Sequence, residues 1–185
     1  MSSSGPRSWQ RVAARRLLET RIFGIDHQRL LSPRTGAEHD IYVLDCPDWC
    51  NIVPLTDDGQ VVMVRQHRHG TGEVTLELPG GMVDPEDPSP LLAAARELFE
   101  ETGYEAATIE PIGVIAPNPA ILSNRCHSFL ARGVRRVAEM ALDPGEDIEV
   151  VTVPYGDIPA LVARGEISHA LVVVAFAFAL GLRAP

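Results

Sequence analysis

"PGGMVDPEDPSPLLAAARELFEETGY", residues 79–104, is the stretch of the sequence that decides the fold. Two glycines and a run of turn-forming residues come first, and a segment typical of a helix follows them. Ser89 is a good N-cap residue, Pro90 suits the first helical position, and Gly103 suits the left-handed residue that ends a helix. The sequence therefore predicts a helix over Pro90–Thr102.

Three carboxylates crowd one side of this helix. At about 100° per residue, Glu97, Glu100 and Glu101 fall within an arc of about 100°. Like charges at these spacings destabilise an exposed helix by roughly 0.2–0.5 kcal/mol per pair. A different side carries the residues predicted to pack, namely Leu91, Ala95, Leu98 and Thr102. We expect one face to pack and another to be acidic, with something that offsets the repulsion.

A divalent cation that prefers oxygen ligands would offset it. Mg²⁺ favours carboxylates, backbone carbonyls, water and substrate phosphates. Gly80 and Gly81 allow the backbone to approach a ligand closely, so a carbonyl there would add a ligand, and Arg96 would hold a carboxylate in place. The alternative is a solvated acidic face, which is common on helices.

The same residues resemble the signature of the Nudix family. Its ending, Arg-Glu-apolar-x-Glu-Glu-x-Gly-apolar, is matched at every fixed position by "RELFEETGY", residues 96–104. The resemblance implies hydrolysis of nucleoside diphosphates linked to another group, with Mg²⁺ or Mn²⁺ as cofactor. It also implies that Glu97, Glu100 and Glu101 are metal ligands, that Arg96 orients them, and that Gly80 or Gly81 presents the carbonyl.

One position departs from the signature. Counting back from Arg96 places the first glutamate of the family at Pro88. The loop therefore carries roughly one extra residue, and the acidic residue is predicted to be Glu86 or Asp87.

The flanking sequence resembles that of ADP-ribose pyrophosphatases and other nucleoside diphosphate sugar hydrolases. "VVMVRQHRHG" and "LELPGG" precede the helix, and "APNPAILSNRCHSFLA" follows it, with Pro117 and Pro119 about where that group carries one proline, so that Pro119 is a candidate for the substrate site. A guanidinium can donate two hydrogen bonds to a diphosphate, and we assign this role to Arg68. Arg65 is the second candidate, although residues three apart in a strand point to opposite faces. Trp49 is a candidate for stacking on the base, or else a core or interface anchor.

A general base is still needed for the attacking water. In the ADP-ribose group it usually comes from an acidic loop after the helix, and "DPGEDIEVV" matches that loop. Glu146 is the first candidate, with Asp147 and Glu149 as alternatives, and the helix glutamates would otherwise supply the base. His127 is interpreted as a packed or hydrogen-bonded residue and not as a catalytic one. His169 would either reach a ligand or cap the last helix.

The implied reaction converts ADP-ribose to AMP and ribose 5-phosphate. GDP-mannose, a dinucleoside polyphosphate or a capped RNA are alternative substrates, and a non-catalytic nucleotide-binding regulator is the alternative function. Regulators of this kind tend to lose the metal-binding glutamates, and this chain keeps all three.

Composition limits the partners. The 185 residues carry a formal charge of −9, which disfavours nucleic acid or an anionic membrane as the main partner. The N-terminus has no apolar signal segment, and three cysteines are too few for a disulfide framework. We therefore expect a cytoplasmic protein with no membrane span, whose apolar run from Ala170 to Leu182 is a buried helix.

The order of predicted elements suggests a layered α/β (α+β) sandwich. The resemblance implies the Nudix fold, an α/β/α sandwich around a mixed sheet, with a small N-terminal antiparallel sheet. We predict N-terminal strands within residues 1–48 and a hydrolase domain over residues 49–185. In the resembling group such strands form intertwined homodimers, so a homodimer is expected. The strands are predicted at Leu17–Phe23, Asp26–Ser32, Ala37–Asp45, Ile52–Leu55, Val61–Val64, Glu73–Leu78, Ile109–Ile115, Arg125–Ala131 and Ile148–Pro154, and a further helix at Ile158–Arg164.

Overall fold

The computed structural model describes residues 5–181, which form two compact units. The first unit consists of the described part of Met1–Pro47 together with Ala116–Asn124. The second consists of Asp48–Ile115 and the described part of Arg125–Pro185. Leu182, the predicted end of the last helix, lies outside the described residues.

The first unit contains a three-stranded antiparallel sheet, as predicted. Its strands are β1 (Gln10–Glu19), β2 (Gly24–Leu31) and β3 (Glu38–Asp45), in that order across the sheet. The prediction of the first strand at Leu17–Phe23 was wrong, because β1 is exposed along its whole length and so lacks an alternating apolar pattern. Thr20 instead begins a turn in which its hydroxyl accepts a hydrogen bond from the Phe23 N–H at 3.0 Å.

The second unit is built on a seven-stranded mixed sheet. The central order is β12-β5-β4-β10-β9, with β6 paired to β5 and β7 paired to β4, and β4 and β10 run parallel. A separate two-stranded pair joins β8 and β11. The strands are β4 (Trp49–Leu55), β5 (Gln60–Arg68), β6 (Glu73–Glu77), β7 (Gly80–Met82), β8 (Tyr104–Glu105), β9 (Thr108–Ile115), β10 (Cys126–Arg132), β11 (Arg135–Arg136) and β12 (Ile148–Pro154). The helices are α1 (Pro90–Thr102), α2 (Ile158–Ala163) and α3 (Ala170–Ala179), with a 3₁₀ turn at Tyr155–Asp157.

Helices cover both faces of this sheet, which confirms the predicted α/β/α sandwich. Side chains alternate along each strand, so Ile52 packs in one core with α1, whereas the neighbouring Val53 packs in the other core with α2 and α3. Phe129 and Leu130 of β10 divide in the same way. Of the helices within residues 5–181, none is long and apolar enough to cross a membrane.

Helix α1 begins and ends where the sequence predicts. The Leu92 N–H donates to the Ser89 hydroxyl at 3.3 Å, and Gly103 adopts the left-handed conformation with φ of 73°. The predicted separation of a packing face from an acidic face is wrong in one respect. Glu101 is buried together with Leu98 and Thr102, because its side chain points beneath the loop that contains β7.

Candidate functional site

The short strand β7 places a glycine loop against the last turns of α1. It pairs with the start of β4, with Asn51 opposite Gly80 and Cys50 opposite Gly81. The Gly80 N–H donates a hydrogen bond to Glu101 Oε2 at 3.0 Å. A Cβ at position 81 would lie 2.5 Å from Glu97 Oε1, so the absence of a side chain lets the carboxylate lie against the loop.

Two of the three helix carboxylates are strongly affected by burial. Glu101 is only 3% exposed, and burial raises its pKa to about 8 despite the hydrogen bond from Gly80. Burial likewise raises the pKa of Glu97 to about 7, with further repulsion from Glu100. The negative charge of Glu146 adds to the rise at both groups. This site therefore concentrates negative potential where water screens it poorly.

Arg96 neutralises part of this charge. Its Nη1 lies 3.1 Å from Glu97 Oε1 and donates to Glu100 Oε2 at 2.9 Å, while Nη2 donates to Asp87 Oδ2 at 2.9 Å. These contacts raise the pKa of Arg96, first through the hydrogen bond with Asp87. Of the two acidic residues considered for the displaced position, Asp87 contacts Arg96, so we interpret Asp87 and not Glu86 as its occupant.

The carboxylates and the loop fit a hard divalent cation by chemistry. The donors available are the carboxylate oxygens of Glu97, Glu100 and Glu101 and the backbone carbonyls of the glycine loop, which are the ligand types that Mg²⁺ and Mn²⁺ take. Within residues 5–181, no three Asp, Glu, His or Cys side chains already surround one point as metal ligands. Arg96 contacts the carboxylates of Glu97 and Glu100, and the Gly80 N–H donates to that of Glu101.

The glycine loop also forms part of the wall of a cleft. Its volume is about 330 Å³, which is at the lower end of ligand pockets. Its walls are mainly apolar, and its polar groups come from three strands and the start of α3. The lining residues are Trp49, Cys50, Asn51, Arg68, Glu77, Leu78, Gly80, Gly81, Met82, Cys126, His169, Leu171 and Val172.

Comparison with known proteins identifies the family. A model of the NUDIX domain matches residues 50–174, about two thirds of the chain. The chain belongs to the Nudix family. The matched residues run from the start of β4 into α3, so the Nudix domain includes the glycine loop, the glutamate helix and the cleft.

Two relatives are similar to this chain over about two thirds of its length. The chain is 33% identical over 123 residues to an ADP-ribose pyrophosphatase of Mycobacterium tuberculosis, a match covering 66% of this chain and 59% of that protein. It is 32% identical over 120 residues to an ADP-ribose pyrophosphatase of Bacillus subtilis, covering 64% of each. In both cases the chain spans less than two thirds of the relative.

A solved structure supports the Nudix fold. The crystal structure of an ADP compounds hydrolase superimposes with a TM-score of 0.84 and covers 96% of this chain and 95% of that chain. The sequence identity is 21%, so this similarity concerns the fold alone.

The structure places the two candidate arginines of this Nudix domain in different surroundings. Arg68 lines the cleft and donates to Glu77 from Nε at 2.8 Å and from Nη2 at 2.6 Å. Arg65 points away from that face and donates to Glu149 Oε2 at 3.1 Å in an exposed pair. Of these two arginines, Arg68 is the one that lines the cleft.

Other predicted residues of the site are placed as follows. Trp49 lines the cleft at the start of β4, as a stacking role requires. Pro119 is exposed and lies in Ala116–Asn124, within the first unit.

Glu146 is exposed in the loop before β12, and its carboxylate accepts a hydrogen bond from the Asp143 N–H at 2.9 Å. Its charge acts on the helix carboxylates, whereas Glu149 is engaged by Arg65.

The histidines have different surroundings. His127 Nε2 lies 2.9 Å from Asp48 Oδ2, in agreement with the interpretation of a hydrogen-bonded residue. His169 is the N-cap residue of α3, but its side chain makes no capping hydrogen bond. It lines the cleft, and burial lowers its pKa. Glu77 and Asn51 also line the cleft and were not predicted as site residues. The alternation of Thr75, Glu77 and apolar residues in "EVTLELPGG" was the available signal for Glu77, because it puts two polar groups on one face of β6.

The raised pKa values predict a stability that depends on pH. Glu97 and Glu101 bind protons more tightly in the folded protein than in the unfolded chain, where the pKa is near 4.5. In EDTA, the free energy of unfolding should therefore fall as the pH rises from 5 through 8, by on the order of 6 kcal/mol for the two groups together. Urea denaturation at each pH measures this change.

The Glu101→Gln variant is the control for this prediction. Glutamine keeps an oxygen for the Gly80 N–H and has no charge to desolvate, so its stability should vary less with pH. A wild-type protein whose stability is constant or rises between pH 5 and 8 would contradict the prediction.

Proposed function

We propose that this Nudix protein hydrolyses the diphosphate linkage of nucleoside diphosphate sugars, with ADP-ribose as the leading substrate and AMP and ribose 5-phosphate as products. One observation carries the proposal. The buried carboxylate of Glu101, held by the Gly80 N–H beside Glu97, adjoins a cleft in which Arg68 offers a guanidinium. The two relatives named ADP-ribose pyrophosphatase support the choice of substrate.

Mg²⁺ or Mn²⁺ is the proposed cofactor. Glu97, Glu100, Glu101 and the Gly80 carbonyl would hold it, and Arg96 would orient the carboxylates through its contacts with Glu97 and Glu100. When bound, the metal neutralises diphosphate charge and lowers the pKa of a coordinated water. The raised pKa values of the buried Glu97 and Glu101 carboxylates support this assignment, since a bound cation would stabilise their ionised forms and lower both pKa values.

The remaining steps belong to side chains of this chain. Arg68 donates hydrogen bonds to the diphosphate, and Trp49 stacks on the nucleobase in the cleft. Glu146 takes the proton of the attacking water, and the effect of its negative charge on Glu97 and Glu101 supports this role. If a helix glutamate were the base instead, Glu146→Gln would leave turnover nearly intact.

We also propose a cytoplasmic homodimer joined through the N-terminal strands. The ten-residue edge strand β1 is exposed throughout, and Val12, Leu17 and Leu18 present apolar surface along it. An exposed edge with apolar side chains favours pairing with another chain. Cys46, Cys50 and Cys126 are free thiols, as a reducing compartment permits. Sedimentation equilibrium tests the dimer, and fractionation of source cells tests the compartment.

The deciding experiment is a substrate panel. Release of AMP from ADP-ribose is measured with Mg²⁺, with Mn²⁺ and with EDTA, beside GDP-mannose and a dinucleoside polyphosphate. We expect metal-dependent release of AMP and the highest kcat/KM for ADP-ribose. A higher kcat/KM for another substrate would change the substrate assignment, and no hydrolysis of any substrate with either metal would overturn the proposed enzyme.

A further inference from the structure

Arg68 and Glu77 form a two-pronged ion pair at the edge of the cleft. The guanidinium Nε donates to Oε1 and Nη2 donates to Oε2, at 2.8 and 2.6 Å. The two partners differ in exposure, since the Glu77 side chain is 2% exposed whereas the Arg68 side chain is 40% exposed. The carboxylate is therefore the fixed partner and the guanidinium the one that a ligand can reach.

The sheet explains why Glu77 is fixed. Glu77 and Thr75 lie on the same face of β6, which pairs with β5 so that this face is shared with Arg68. The Thr75 hydroxyl donates to Glu77 Oε1 at 2.5 Å. Burial opposes ionisation of Glu77, but the hydrogen bonds from Arg68 and Thr75 outweigh it and lower its pKa.

Stability alone does not explain the arrangement. Buried ion pairs are often no more stabilising than apolar residues of the same size, because both charges lose their hydration. A geometric role explains it better. A guanidinium has five N–H donors, of which Glu77 accepts two, so both hydrogens of Nη1 and one of Nη2 remain. These three donors are held in one plane at the edge of the cleft.

We infer that Glu77 is a positioning residue, which holds the Arg68 guanidinium in the plane and orientation needed to donate two hydrogen bonds to the substrate diphosphate. This inference rests on the proposed function, from which the diphosphate comes. Glu77 itself does not contact the substrate, because its oxygens are buried and occupied by Arg68 and Thr75.

A double-mutant cycle tests the inference. Arg68→Ala, Glu77→Gln and the double variant are compared by KM and kcat for ADP-ribose, and by the Kd of ADP-ribose in EDTA, where no turnover is expected. In the Glu77→Gln protein we expect Kd and KM to rise about 10-fold, as charge-assisted hydrogen bonds lose their orientation, with kcat changed much less. In the Arg68→Ala background, the same Glu77→Gln change should alter Kd by less than about 2-fold.

Equal effects of Glu77→Gln on Kd in the two backgrounds would overturn the inference, because Glu77 would then act without Arg68. The melting temperature provides the structural readout. Arg68→Ala leaves the buried Glu77 carboxylate without its partner and should lower the melting temperature. Adding Glu77→Gln should restore part of that decrease. Glu166→Gln, which breaks the exposed Arg164–Glu166 pair, is the matched control and should leave Kd unchanged.

The binding data separate this inference from the proposed function. If the wild-type protein binds ADP-ribose with the expected cycle but hydrolyses nothing, the proposed function is wrong and the positioning role stands. If it hydrolyses ADP-ribose but the effects of Arg68→Ala and Glu77→Gln on the free energy of ADP-ribose binding are additive, the function stands and the positioning role is wrong. A wild-type protein that neither binds nor hydrolyses ADP-ribose overturns both.

Discussion

The Glu101→Gln protein should hydrolyse ADP-ribose with a kcat lowered by roughly 10³-fold, corresponding to about 4 kcal/mol of lost transition-state stabilisation. Glu101 is the most buried of the three helix carboxylates and is held by the Gly80 N–H, so no other acidic group can take its place. Glutamine preserves the shape and that hydrogen bond while removing the charge that would bind the cation. Initial rates at saturating ADP-ribose and Mg²⁺ measure the effect.

Stability should change in the opposite direction. Glu101→Gln removes a carboxylate that is costly to ionise, so the metal-free variant should melt at a higher temperature than the wild type at pH 8. Glu105→Gln, at an exposed position just beyond α1, is the control and should change neither kcat nor the melting temperature. Turnover within about 10-fold of wild type in Glu101→Gln would exclude a metal-binding role for this carboxylate.

Gly80→Ala should have the largest effect on both folding and activity among single methyl additions in the glycine loop. The added Cβ would lie 2.3 Å from the Cys50 carbonyl oxygen and 2.8 Å from the Asn51 Cα, both in the backbone of β4. Because backbone atoms cannot rotate away, β7 must separate from β4. We expect a loss of about 3 kcal/mol in the free energy of unfolding by urea denaturation.

The same movement displaces the groups that carry the proposed chemistry. It shifts the Gly80 N–H and carbonyl relative to Glu101, and a misplacement of about 1 Å can lower turnover by about 10²-fold. Gly156→Ala is the matched control, since a Cβ there meets nothing within 4 Å and Gly156 has no positive φ. Gly80→Ala with wild-type stability and turnover would contradict the observed packing of β7 on β4.

Local interactions explain why so much of the fold could be predicted. The N-cap, the proline and the C-terminal glycine of α1 act within one helix, so the bounds of α1 agree with the prediction. The alternation of apolar residues likewise predicted both ends of β12 correctly. Strand β1 was misplaced because it is exposed on both faces, and β7 was missed because three residues with two glycines carry no periodic signal.

The sequence by itself determined the glutamate helix, the family and the residue types of the site, since these depend on short-range spacing and capping. Only the tertiary structure decided that Glu101 is buried beneath Gly80, that Asp87 pairs with Arg96, and that Arg68 is held by Glu77. The physical reason is that contacts between residues distant in the sequence depend on how strands and loops pack. The pairing of β5 with β6 brings Glu77 to Arg68, and the turn between β7 and α1 brings Asp87 to Arg96.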